Sequence, residues 1–129
     1  IKMDKRKELR PVLAKIEATE KCSTEEKFQN TTLRQVIKLQ HPLLIALFQD
    51  YAITRKTILN TLTEQRAKRF IESALSKDIA FKNKMIGLVV GQFTLEEFAL
   101  YSTASSEFNK RIFAMIKKRL KDSLLELGS

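Results

Sequence analysis

Cysteine and histidine are almost absent from this chain: Cys22 and His41 are single in 129 residues. One cysteine excludes an internal disulfide, and one histidine beside it leaves no thiolate–imidazole ligand set for a zinc cluster within one chain. Cys22 follows Lys21 near an expected helix N-terminus, a setting that favours a thiolate. With no second cysteine we read it as an inert thiol, and a single thiol fits a reducing compartment. Glycine and proline are also scarce, three and two residues, which removes the turn material that a many-stranded β protein requires. Long hydrophobic runs are missing too. The longest apolar stretch, residues 85–93, contains two glycines and falls far short of the roughly twenty residues that span a bilayer. Residues 1–10 are mostly charged and lack an apolar core, so no signal peptide is expected. The chain opens at Ile1 rather than methionine, which leaves room for residues upstream. The expectation is a soluble, cytoplasmic chain without a membrane span.

Several chemistries are excluded by motif. There is no Gly-x-Ser-x-Gly, no His-Glu-x-x-His and no Glu-x-x-His. Gly87 and Gly91 are not followed by Lys-Ser or Lys-Thr, so no Walker-type phosphate loop is present. Gly87-x-x-x-Gly91 lacks the apolar span that would make it a membrane pairing motif. We expect no cofactor and no metal.

What is abundant is helix-forming and basic. Hydrophobic residues make up 43% and charged residues 30% of the chain, with net charge +9, and Leu, Ile, Ala, Lys and Glu favour helices. No linker, repeat or low-complexity tract divides residues 1–129, so one domain is expected: an all-α bundle of about five or six helices. A first helix is predicted after Asp4, with Pro11 in its first turns or restarting it, and Val12, Leu13 and Ile16 as its apolar face. Ser23-Thr24-Glu25-Glu26 and Thr94-Leu95-Glu96-Glu97 read as capping boxes, Thr32-Leu33-Arg34-Gln35 as a further one, and Thr63 and Asp78 as N-caps. Residues 30–32 are expected to separate two helical pieces, with Leu33, Val36 and Ile37 facing inward, and Pro42 to kink or restart the helix. Leu43, Leu44, Leu47, Phe48 and Tyr51 form a broad stripe that Ile58, Leu59 and Leu62 close. Phe70, Ile71, Ala74 and Leu75 mark the next helix, and Gly91 is predicted to end another in the left-handed conformation. From Phe98 through Tyr101, Phe108, Ile112 and Met115 to Arg119, three- and four-residue steps predict a long C-terminal helix, about 94–126. A break at residues 102–106, poor helix material, is the alternative.

The positive charge is uneven. Residues 85–107 hold three acids and no base, whereas residues 108–121 hold six bases and no acid. Lys110, Lys117 and Lys121 share one predicted face, with Arg111 and Lys118 beside it and the apolar stripe opposite. Such a face suits an anionic partner; cations complementing the end of a helix are the plainer explanation. Arg34, Lys38 and His41, spaced i, i+4, i+7, share another face that suits a phosphate or carboxylate, or is simply solvated. The aromatic residues fall mostly on the apolar stripe, so no base-stacking platform is expected.

Four stretches carry a resemblance: Phe28-Gln29-Asn30 with Thr32-Leu33-Arg34, Ile37-Lys38-Leu39-Gln40, Gly91-Gln92-Phe93-Thr94, and Asn109-Lys110-Arg111. Over about residues 24–121 the chain resembles a small uncharacterised bacterial family of all-helical proteins, which often has proline where this chain has Gln35. Some members of that family carry a glyoxalase label. Glyoxalases of the vicinal-oxygen-chelate fold pair βαβββ modules with His and Glu metal ligands on strands, and this sequence departs from that pattern throughout. We therefore read a non-catalytic binding or regulatory domain that docks an acidic protein or nucleic acid through basic helix faces. The alternative is a small-ligand binder or enzyme with a polar site between helices, built from Arg34, Lys38, His41, Asn109, Lys110 and Arg111 if the two regions meet. The sequence is compatible with a homo-oligomer.

Overall fold

The computed structural model describes residues 5–11 and 23–129. The expectations placed on Asp4, on Val12, Leu13 and Ile16, and on Cys22 lie outside these residues. The described residues are 82% helical and contain no strand, so the all-α single-domain expectation holds. A 3₁₀ turn, Arg6–Leu9, ends at Arg10, whose extended backbone precedes Pro11. Helix α1 covers residues 24–54 as one continuous run: Thr24–Phe28, a π-helical turn at Gln29–Leu33, and Arg34–Thr54. Then follow α2 (Glu64–Lys77), α3 (Ile79–Val90), α4 (Leu95–Ser102), α5 (Ser105–Lys121) and α6 (Leu124–Leu127). The central α1 packs on α3, α5 and α6, and α2 packs on α3 and α5. Phe48, Leu33, Ile37, Ile71, Met85 and Phe108 are the largest among the side chains sealed in this core.

Four of the five predicted N-caps are formed. Ser23, Thr63, Asp78 and Thr94 each accept a backbone N–H three residues on, at 3.1–3.2 Å. At Thr94 the box is reciprocal, because the Glu97 carboxylate also accepts the Thr94 N–H at 2.9 Å.

Elsewhere tertiary packing overrides local signals. The long helix is α1, at the centre of the bundle, and not the C-terminal one. The C-terminal run breaks at residues 103–104, where the Ser102 and Thr103 hydroxyls donate to the carbonyls of Ala99 and Leu100. It breaks again at Ser123, whose hydroxyl donates to the Arg119 carbonyl. The first break turns Phe98 off the stripe, leaving it 47% exposed. Pro42 neither breaks nor restarts α1. It lies on the exposed side of the helix, as does Lys38, so the carbonyl it strands can meet water, while Ile37, Leu44 and Ile45 hold the buried side. Leu43, expected in the stripe, shares that exposed side.

The segment at residues 30–32 does not divide α1, and Thr32 caps nothing. The π turn inserts extra backbone, and the Thr32 hydroxyl donates instead to Glu97 Oε2 at 3.2 Å. Gly91 has φ −61°, in the right-handed region. The chain leaves α3 through short bonds from Gln92 and Phe93 to Val89 and Val90, so no left-handed residue is needed there. That role falls to Lys56, at φ 55°, which ends α1 with paired bonds from Lys56 N–H to Ile53 and Thr57 N–H to Ala52. Ile58, Leu59 and Leu62 therefore follow α1 rather than close it.

Candidate functional site

The site grows from the π turn. Widening α1 at residues 29–33 sets Gln29 and Asn30 on the rim of a groove while Thr32 and Leu33 remain buried. The next turns add Arg34, Ile37 and Lys38 to the same wall. The facing wall is the end of α5 and the turn after it: Met115, Lys118, Arg119, Asp122 and Ser123. The open cavity between them has a volume of about 650 Å³. Four of its ten lining residues are cations and one is a carboxylate. That carboxylate, Asp122, is 3.3 Å from Lys118, in a pair largely in water. A larger depression of about 950 Å³ beside α6 has a different balance, two lysines against Glu64, Asp122 and Glu126. Of these two, the first is the basic site.

The two arginines of the groove are held differently. Arg119 Nη1 donates to His41 Nδ1 at 3.2 Å, and His41 Nε2 lies 2.8 Å from Glu126 Oε2. A guanidinium only donates, so Nδ1 must accept, and the proton sits on Nε2, toward Glu126. This chain ties α1, α5 and α6 together and orients Arg119. Arg34 has no hydrogen bond or ion pair among the described residues, and its Nη1 is sealed from solvent without an acceptor. Arg111 reaches across from α5 and donates to Gln29 Oε1 at 2.9 Å, while its Nε is buried without an acceptor. With its oxygen engaged, Gln29 has its amide N–H groups left to offer.

The predicted residues thus converge only in part. Arg34, Lys38 and Lys118 line the groove, His41 braces it from behind, and Arg111 touches it through Gln29. Asn109 accepts the Tyr101 hydroxyl, and Lys110 is exposed without a partner among the described residues. Lys117 and Lys121 both donate to Glu72 on α2, at 2.9 and 2.8 Å. The hydrogen bond from Lys121, then that from Lys117, holds the Glu72 carboxyl below its usual range. The ammonium groups of Lys82 and Lys117 also lie 4.3 and 4.7 Å from the centre of the Phe113 ring. Of the six cations of α5, Lys110 alone has no side-chain partner among the described residues.

Sequence reasoning missed Gln29 and Asn30, and took Arg119 for the end of an apolar stripe. A cation at a stripe edge was the available signal. It also missed the most elaborate polar cluster. Arg10 donates through Nη1 to Glu97 Oε2 at 2.7 Å and through Nη2 to Glu97 Oε1 at 2.6 Å and the Gln92 carbonyl at 2.7 Å. Burial opposes ionisation of Glu97, but the hydrogen bonds from Arg10, the Thr94 N–H and Thr32 outweigh it and hold the carboxyl below its usual range. The cluster is buried and complete at its carboxylate, an anchor rather than a receptor.

No group of three or more His, Cys, Asp or Glu side chains is gathered among the described residues, and no helix there is long and apolar enough to cross a membrane. Comparison with protein-family models, with curated proteins and with solved structures gives no match to this chain.

Proposed function

We propose that the chain is a non-catalytic binding domain that docks an acidic partner, protein or nucleic acid, on basic faces that meet at the groove between α1 and α5. The observation that carries this reading is the groove's charge: Arg34, Lys38, Lys118 and Arg119 against Asp122 alone. Like charges lining one groove repel one another, and packing of the bundle does not require them. An anionic partner relieves that repulsion and releases counterions. Lys110 extends the basic surface, whereas Lys117 and Lys121, committed to Glu72, add less.

The test is Lys38→Glu with Lys118→Glu, two exposed side chains. The variant should keep its helical circular dichroism, lose most of its retention on heparin, and capture fewer partners from source-cell lysate. Wild-type binding should fall steeply with salt. Nuclease treatment of the lysate separates nucleic acid from protein. A folded variant that binds as well as wild type across a salt series would overturn the reading.

A further inference from the structure

The inner part of the groove has a narrower chemistry, and we infer that it is a site for the phosphate monoester of a small molecule. The inference rests on the basic-groove reading and specifies what the groove's inner wall accepts. Arg34 and Arg119 are half-buried and come from opposite walls, whereas Lys38, Lys118 and Asp122 are exposed at the rim. The groove's one lining carboxylate, Asp122, is paired with Lys118, and neither arginine forms an ion pair with it among the described residues. Planar forks of N–H donors match the oxygens of a phosphate, and two of them match its double charge at neutral pH. Arg34 Nη1 already lacks an acceptor. A buried donor without an acceptor is costly, so a small swing of Arg34 toward a bound oxygen gains a bond without breaking one. Gln29 adds amide donors to the same wall because Arg111 occupies its oxygen.

Arg119 is the pre-set half of the clamp. Its bond to His41, braced by Glu126, fixes one nitrogen and leaves the rest of the fork for a ligand. Beside the cations, Ile37 and Met115 supply an apolar wall for the organic part of the molecule. The volume, about 650 Å³, lies within the usual range of small-molecule sites, about 300–1,000 Å³. A phosphodiester carries one charge and needs a track of cations along its length. Here the two half-buried arginines line one groove from facing walls.

Calorimetric titration at low salt with phenyl phosphate, inorganic phosphate and benzenesulfonate tests the site. Phenyl phosphate should saturate at one per chain. Inorganic phosphate should bind more weakly because it leaves Ile37 and Met115 bare, and benzenesulfonate more weakly because it carries a single charge. Arg34→Gln and Arg119→Gln should each weaken phenyl phosphate by about tenfold or more. Lys84→Gln, an exposed charge change on α3, should leave it unchanged. If Arg34→Gln fails to fold, Arg34→Lys keeps the charge, loses the fork, and should still weaken binding several-fold. Absence of saturation, or equal weakening by Lys84→Gln, overturns the site and makes the attraction diffuse. Tight binding of a single-stranded oligonucleotide without saturation by phenyl phosphate likewise overturns it, in favour of nucleic acid. If heparin retention depends on Lys38 and Lys118 while phenyl phosphate does not bind, this inference fails and the docking reading stands. If phenyl phosphate binds in an Arg34-dependent way while cellular partners ignore Lys38 and Lys118, the phosphate site stands and the docking reading fails.

Discussion

Arg10 and Arg34 are the same side chain put to opposite uses in one small bundle. Arg10 is buried, and although its Nε has no acceptor, both of its terminal nitrogens are bonded, to the two oxygens of Glu97 and to the Gln92 carbonyl. Arg34 lines an open groove with three further cations and one carboxylate, and its side chain has no ion pair among the described residues. A charge taken out of water must bring its partners with it. Arg34 Nη1 is left without an acceptor although it is sealed from solvent, and incompleteness is what a ligand can use. The fold treats Arg10 as structure and Arg34 as surface, and variants at each should behave accordingly.

The largest effect is expected at Glu97. Glu97→Ala leaves the Arg10 guanidinium buried without its counterion and should cost about 3–5 kcal/mol in urea denaturation. A loss below about 1 kcal/mol would mean that the pair is hydrated in solution. The same carboxyl predicts an acid response. Its value is lowered in the folded state, so its contribution is complete above the ordinary glutamate range and disappears as pH falls through the depressed folded value. Wild-type stability should decline across that window, and Glu97→Gln should decline less.

Next comes the cap that feeds this cluster. Thr94→Ala removes the acceptor for the Glu97 N–H and loosens the turn that aims the carboxylate at Arg10. About 1 kcal/mol of stability should be lost. An unchanged denaturation midpoint would separate the cap from the anchor.

Distance along the chain explains what could be read in advance. Ser23, Thr63, Asp78 and Thr94 act on N–H groups three residues away, so local spacing reveals them. Heptad-like steps likewise place Ile37, Phe48, Ile71 and Phe108 in the core. Arg10 and Glu97 are 87 residues apart, and no local pattern joins them. The groove is intermediate. Arg34 and Lys38 share a face by simple helical spacing, but what lies across from them depends on the π turn and on the break at Ser123. Lys117 and Lys121 show the converse: their shared face was legible, whereas Glu72, which occupies it, belongs to another helix.

Glu72 makes it possible to turn partnered cations into unpartnered ones. Glu72→Gln frees Lys117 and Lys121 at the edge of the basic surface while touching no core residue. The pair is partly in water, so less than about 1 kcal/mol of stability should be lost. Retention on heparin should rise, since two more ammonium groups become available. Unaltered retention would confine the working surface to the groove itself.

The smallest stability effect is expected at Arg34, and its smallness is the point. Arg34→Met keeps an unbranched stem against the helix and similar helix propensity, and removes a guanidinium that has no partner to orphan. The buried Nη1 is a standing cost that the substitution removes. Stability should therefore stay within about 0.5 kcal/mol of wild type or rise slightly. Arg10→Met, the same exchange in the core, strands Glu97 and should lose about 3–5 kcal/mol. Comparable losses at the two positions, measured in one buffer by the same denaturant titration, would show that Arg34 is as structural as Arg10. A neutral Arg34→Met means that folding does not maintain this cation, and a bound anion becomes the reason for its place in the groove.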